Sequence, residues 1–165
     1  MILIIMSFLT FCCKNINWEN TKPFVPNIKR AKVIKVYDGD TITIASKIHC
    51  MDSNYYRFSV RLANIDCPEI RTSNEIEKEY AIKVKNKLEE LILNQYIDLN
   101  IIKSDKYGRL LAIIYYNNKC INDWLLKIHL AVDYKGKTKV SPENWKEYYD
   151  EITFVAFEDF NHTCK

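Results

Sequence analysis

Glycine is nearly absent. The chain holds three in 165 residues, against an average share of about 7%. That scarcity excludes collagen-like repeats, glycine linkers and glycine-rich phosphate loops. It also makes each surviving glycine a candidate for a place only glycine fits. No internal repeat or low-complexity segment is present, and a composition 48% hydrophobic and 27% charged excludes a disordered body and an integral membrane protein. The length suits one domain able to bury a core without depending on disulfides.

No large excess of one charge exists either; the net charge is +3. Its distribution is uneven. Residues 141–165 hold 6 acidic and 2 basic side chains, so the preceding 140 hold the remaining 15 and 22. The body is therefore basic, at +7, and the end acidic, at −4. A basic body permits a polyanionic partner without establishing one.

The uncharged run from Met1 to Cys13 is shorter than the roughly 20 residues of a membrane-crossing helix. Its length suits the apolar part of an export leader, although the usual basic start is missing. Leu9-Thr10-Phe11-Cys12 is similar to a bacterial lipoprotein cleavage box, with Phe11 where a small residue is usual. The expectation is an exported protein, secreted or held at the cell envelope, with lipidation of Cys12 left open. Residues 1–13 are then the leader, 14–28 a tether containing Pro23 and Pro26, and 29–165 the folded domain. A buried strand or short helix in the first thirteen residues is the competing reading, and the abrupt change at Lys14 opposes it.

The six cysteines include no C-x-x-C spacing. In an oxidising compartment, one or two disulfides among Cys13, Cys50, Cys67, Cys120 and Cys164 are expected, with the pairing open. His49-Cys50 and His162-Thr163-Cys164 lack the tight ligand spacing of a zinc site.

Hydrophobic periodicity predicts five strands. Ala31 to Tyr37 and Thr41 to Ser46 flank Asp38-Gly39, a hairpin signal. Tyr56 to Ile65 alternates and stops before Pro68. Asn74 to Leu93 has apolar residues at helical spacing. Tyr96 to Ile102 and Leu110 to Tyr116 are two more strands, Ile121 to Ala131 a short helix, and Ser141-Pro142 the start of a last helix reaching Phe160. Five strands with a helix inserted after the third describe an α+β fold, a small five-stranded barrel of the OB type with about three helices.

Three segments carry chemistry: Asp38-Gly39-Asp40-Thr41, Arg61 to Glu69, and Asp105-Lys106-Tyr107-Gly108-Arg109. Alone, each has an ordinary explanation as a turn, a solvated strand or a helix cap. Together they supply a set. Asp40 and Asp66, at strand ends, are hard oxygen ligands suited to Ca²⁺. Glu69, past a proline-stiffened turn, suits a general base acting on water. Arg61 and Arg109 are permanently charged forks that match a phosphate. Metal, base and two arginines are the parts needed to hydrolyse a phosphodiester.

These three motifs, with their spacing, resemble the thermonuclease or staphylococcal-nuclease-like family, from about Ala31 to Tyr134. The resemblance implies an OB-type barrel with three helices, and a Ca²⁺-dependent nuclease that cuts DNA and RNA at the bond to the 5′ oxygen, leaving 3′-phosphate ends. It implies that Asp40 and Asp66 bind calcium together with the backbone carbonyl of Cys67, which replaces the commoner Thr or Ala. Glu69 falls on the general base, and Arg61 and Arg109 on the phosphate-binding arginines. Lys106 and Tyr107 match the pair contacting the terminal phosphate, and Tyr134 alone represents the base-stacking aromatics. The thiol of Cys67 is left open between an idle group and a disulfide beside the site. A monomer is expected, touching membrane only through an N-terminal lipid.

Arg61 and Asp66 are five residues apart, so a regular strand would aim them at opposite faces. A shared site therefore requires a bend or bulge between Ala63 and Ile65. Two other functions compete: a catalytically silent barrel binding nucleic acid or protein, and a structural or adhesive surface lipoprotein. The presence of all five acidic and arginine positions counts against the first; only the leader supports the second.

Overall fold

The computed structural model describes residues 16–49, 53–136, 141–151 and 155–160. The proposed leader, Cys12, Cys13, Cys50, His162 and Cys164 lie outside the described residues.

Chain order is β1 (Arg30–Val36), β2 (Thr41–Ser46), β3 (Tyr56–Leu62), β4 (Ile65–Asp66), α1 (Glu75–Ile92), β5 (Tyr96–Ser104), β6 (Leu110–Tyr116), β7 (Lys119–Cys120), α2 (Ile121–Lys127), β8 (Val132–Asp133) and α3 (Trp145–Asp150). The main sheet runs β3-β2-β1-β5-β6-β7, and a parallel pairing of β3 with β6 closes it. The five long strands thus form the expected α+β barrel of OB type. Closure leaves those strands no open edge. Alternate residues point inward: Ala31 and Val33 from β1, Ile42 and Ile44 from β2, Val60 and Leu62 from β3 are all buried, and a register shift between Val33 and Lys35 turns Val36 inward as well. The short β4 and β8 form a separate antiparallel ribbon. No helix among the described residues is long and apolar enough to cross a membrane.

Scarce glycine has a structural counterpart. Among the described residues, Asn64, Asn94, Asn117, Asn118 and His129 adopt positive φ. Asparagine tolerates that region because its short amide can bond locally, so it takes over glycine's usual turn positions. Gly39 is not in that region and is required by space instead: a Cβ there would lie 2.5 Å from Val84 Cγ1 and 2.9 Å from Cys67 Cβ. Gly108, at φ +79°, serves conformation.

Helix α1 matches its expected bounds. The Asn74 side chain accepts from the Ile76 and Glu77 amides, and Tyr80, Val84, Leu88 and Ile92 turn inward. The other helices are shorter than the sequence suggested. Helix α2 stops at Lys127 instead of reaching Ala131, because His129 turns left-handed at φ 51°. Helix α3 begins at Trp145 with Asn144, not Ser141, as its cap, the Asn144 side chain accepting from the Lys146 amide. It ends at Asp150, and residues 155–160 form a turn, not helix. Phe157 and Phe160 are buried there, with Phe157 edge-on to Trp124 at 5.2 Å. Apolar residues spaced for a helix here anchor an irregular segment.

Cys120 is disulfide-bonded, whereas Cys67 is a buried thiol outside any disulfide. The sulfur of Cys67 packs against Gly39.

Candidate active site

The bend required between Arg61 and Asp66 is present. Strand β3 ends at Leu62, Asn64 turns the chain at φ 63°, and β4 resumes at Ile65. The turn is clamped from below. The Ala63 amide donates to the Ala112 carbonyl at 2.8 Å, and buried Asn122 donates to the Ala63 carbonyl at 2.8 Å while accepting the Ile114 amide at 3.0 Å. The result places Arg61 and Asp66 on one side. Arg61 Nη2 meets Asp66 Oδ1 at 2.5 Å, and Arg61 Nη1 pairs with Asp40 Oδ2.

Asp40 reaches this point from the β1–β2 turn. Tyr37 and Asp38 both donate their amides to the Thr41 carbonyl, and the Leu62 amide donates to the Asp40 carbonyl at 2.7 Å. The Asp40 carboxylate also accepts the Thr41 hydroxyl at 3.0 Å and the Cys67 amide at 3.2 Å. Two largely buried carboxylates therefore converge on one guanidinium.

Arg109 is held in its own turn. Asp105 accepts its Nε at 2.7 Å and its amide at 2.9 Å, and also takes the Tyr107 amide at 2.9 Å. Burial opposes ionisation of Asp105, but hydrogen bonds from Arg109 and Tyr107 hold its carboxyl below the ordinary value. Lys106 Nζ and the Arg109 guanidinium lie 5.0 and 5.5 Å from the centre of the exposed Tyr107 ring. Asp38 is displaced the other way: burial raises its carboxyl above the ordinary value despite the Thr41 hydrogen bond and the nearby Arg61 charge.

Two adjoining clefts result. One, of about 170 Å³, is lined by Asp38, Asp40, Thr41, Cys67 and Pro68. The other, of about 390 Å³, is lined by Asp66, Asp105, Lys106, Tyr107 and Tyr134. Arg61, Glu69 and Arg109 line both. All nine residues expected at the site from sequence, apart from Cys12, which lies outside the described residues, thus come to one double cleft. Tyr134 arrives because its amide bonds the Asn64 carbonyl at 2.9 Å, directly after β8.

Sequence reasoning gave no role to Asp105, Asn122 or Glu77. Glu77 ties down the loop carrying Glu69: its carboxylate accepts the Glu69 amide and the Thr72 hydroxyl, each at 3.1 Å. Asp105 stood inside a motif already singled out. Asn122 and Glu77 had no local signal, since their partners are distant in the chain or across a loop.

Among the described residues no three His, Cys, Asp or Glu side chains converge as a metal-holding group. What converges is an all-oxygen pair, Asp40 and Asp66, close enough to share one guanidinium. That donor set fits a hard divalent cation completing its shell with a carbonyl, water and phosphate. It does not fit zinc, which favours nitrogen and sulfur.

Residues 59–156 match the model of the family described as staphylococcal nuclease homologues. The chain belongs to that family. Its relatives include an uncharacterized endonuclease of Haemophilus influenzae, 30% identical over 81% of this chain and 62% of that protein. A thermonuclease of Staphylococcus hyicus is 30% identical over 64% of this chain and 59% of its own length. An endonuclease of Bacillus subtilis is likewise 30% identical, over 70% and 56%. The chain spans about six-tenths of the length of these relatives. Membership in the staphylococcal nuclease family accords with the closed barrel and with a cleft on the β1–β2 turn, the β3–β4 bend and the β5–β6 turn.

Proposed function

We propose that the chain is a Ca²⁺-dependent nuclease that hydrolyses phosphodiester bonds of DNA and RNA and leaves 3′-phosphate ends. The observation that carries this reading is the sharing of Arg61, Glu69 and Arg109 by both clefts. A phosphodiester seated between the clefts touches two cationic forks and one exposed carboxylate, while its flanking nucleotides have a groove on either side. Relatives named as nucleases support the same reading.

The roles follow from position. Glu69 is exposed and fixed by Glu77, so its carboxylate can take a proton from an attacking water. Arg61 and Arg109 bind the phosphate and offset the charge that grows on its oxygens in the transition state. Arg109 is pre-oriented by Asp105, which lowers the ordering cost at the moment of reaction. Asp40, Asp66 and the Cys67 carbonyl would hold calcium, which supplies positive charge beside the phosphate. Lys106, Tyr107 and Tyr134 form the wall where the adjoining nucleotide rests. Export, as a secreted protein or as one attached through Cys12, belongs to the same proposal and is supported by the uncharged run of residues 1–13.

The test is incubation of the purified chain with plasmid DNA and with RNA, in calcium and in chelator, followed by end-group analysis. Cleavage of both in calcium with 3′-phosphate ends supports the reading. Tight binding without cleavage would instead indicate a silent binding barrel.

A further inference from the structure

Beside the smaller cleft lies a pair of residues the catalytic roles do not use. Arg71 Nη2 donates to the Tyr37 hydroxyl at 3.2 Å, joining two residues 34 apart in the chain. Tyr37 immediately precedes Asp38, which lines that cleft, and Arg71 lies two residues past Glu69. The hydrogen bond therefore joins the β1–β2 turn to the loop before α1, the two segments that supply Asp38 and Glu69 to the cleft lining. Tyr37 is 49% exposed, and Lys35 Nζ lies 5.7 Å from its ring centre. Tyr37 is thus an exposed ring with two cations beside it, while the larger cleft has its own aromatic and basic wall of Lys106, Tyr107 and Tyr134.

Arg71 is presented firmly. Glu77 holds the residues on either side of it, Glu69 two before and Thr72 one after. The Thr72 hydroxyl also accepts the Asn74 amide at 3.2 Å, fastening the loop to the cap of α1. An exposed arginine on an untethered loop would scatter over solvent; this one is held on the Tyr37 hydroxyl.

We propose that Tyr37 and Arg71 form a second nucleotide subsite, for the nucleotide on the opposite side of the scissile phosphate from Tyr107 and Tyr134. The base stacks on Tyr37 and the next phosphate takes the open donors of Arg71. The ligand class is an unpaired nucleotide of a polynucleotide, and the subsite rests on the nuclease reading above. The cut phosphate then lies where the two clefts meet, with one flanking nucleotide in the larger cleft and the other on the Tyr37–Arg71 pair beside the smaller one.

The test uses the full chain in calcium with two substrates, an octathymidylate and a thymidine mononucleotide 4-nitrophenyl ester, which has a nucleoside on one side only. The readout is the ratio of kcat/KM for the octamer to that for the ester. Tyr37→Ala and Arg71→Ala should each lower this ratio about tenfold, mainly through KM for the octamer, since base–aromatic stacking and a charged phosphate contact are each of that size. Tyr37→Phe, which keeps the ring, should retain most of it. An unchanged ratio in both alanine variants, while the unaltered chain cuts the octamer, overturns the subsite and leaves the nuclease reading standing. If the unaltered chain cuts neither substrate, the nuclease reading falls and the subsite with it.

Discussion

Arg61 and Asp66, five residues apart, meet in an ion pair of 2.5 Å because Asn64 between them turns the backbone left-handed at φ 63°. A β-branched residue strains in that conformation, whereas glycine accepts it. Asn64→Val should lower folding stability by about 1–2 kcal/mol, and Asn64→Gly by much less. Urea denaturation of the two variants checks this. Activity should fall with Asn64→Val beyond what its stability explains, because the guanidinium and carboxylate no longer share a face.

Gly39 illustrates a different constraint. The 2.5 Å approach of Val84 and the 2.9 Å approach of Cys67 leave no room for a methyl group. Gly39→Ala should cost about 1–3 kcal/mol through overpacking and shift the turn carrying Asp40. The thermal midpoint reports the first effect and the calcium requirement of cleavage the second. A Val84→Ala change in the same background should recover part of the stability, since it removes the Cγ1 that would lie 2.5 Å from the added methyl group.

The sequence made much of this legible. The barrel strands were readable because inward residues alternate, as Ile42 and Ile44 do, and α1 because its apolar residues keep helical spacing behind an Asn74 cap. The bend at Asn64 was deducible from the demand that Arg61 and Asp66 serve one site. What escaped depends on contacts between distant segments. Asn122 reads as an ordinary polar residue early in a helix until the Ala63 carbonyl and Ile114 amide come to it. The last helix was overread because Phe157 and Phe160 are apolar at helical spacing, yet their partners, such as Trp124, hold them in a turn. Gly39 was expected as a hairpin glycine; tertiary crowding, invisible locally, is what requires it.

Asp105 links pH to the Arg109 turn. Its folded-state carboxyl titrates below the ordinary value of 3.8, because Arg109 and Tyr107 hydrogen bonds outweigh its burial. A depressed carboxyl stabilises the fold fully above its unfolded pKa, and that contribution is lost as pH falls through the folded value. Asp105→Asn should therefore be less stable than the unaltered chain at neutral pH, with the gap narrowing below pH 3.8. Denaturant titrations of both proteins across that range measure it. The variant's kcat should also fall, since Arg109 loses the partner that aims it.

Glu77 positions the loop of Glu69 without touching the phosphate. Glu77→Ala should lower kcat by on the order of 10- to 100-fold, with a smaller change in the thermal midpoint. Glu77→Gln keeps one of the two acceptor oxygens and should recover part of the rate. Steady-state kinetics and melting curves on the two variants separate positioning from simple loss of fold.

The most direct measurement is the initial rate of DNA cleavage in calcium by the unaltered chain and by Glu69→Gln. Glu69 lines both clefts and is exposed, so the substitution should leave the thermal midpoint unchanged. Expected is a loss of on the order of 10²–10⁴ in rate, with cleavage by the unaltered chain abolished by chelator. Cleavage by Glu69→Gln at the unaltered rate would contradict the assignment of this cleft as the place where the phosphodiester is cut.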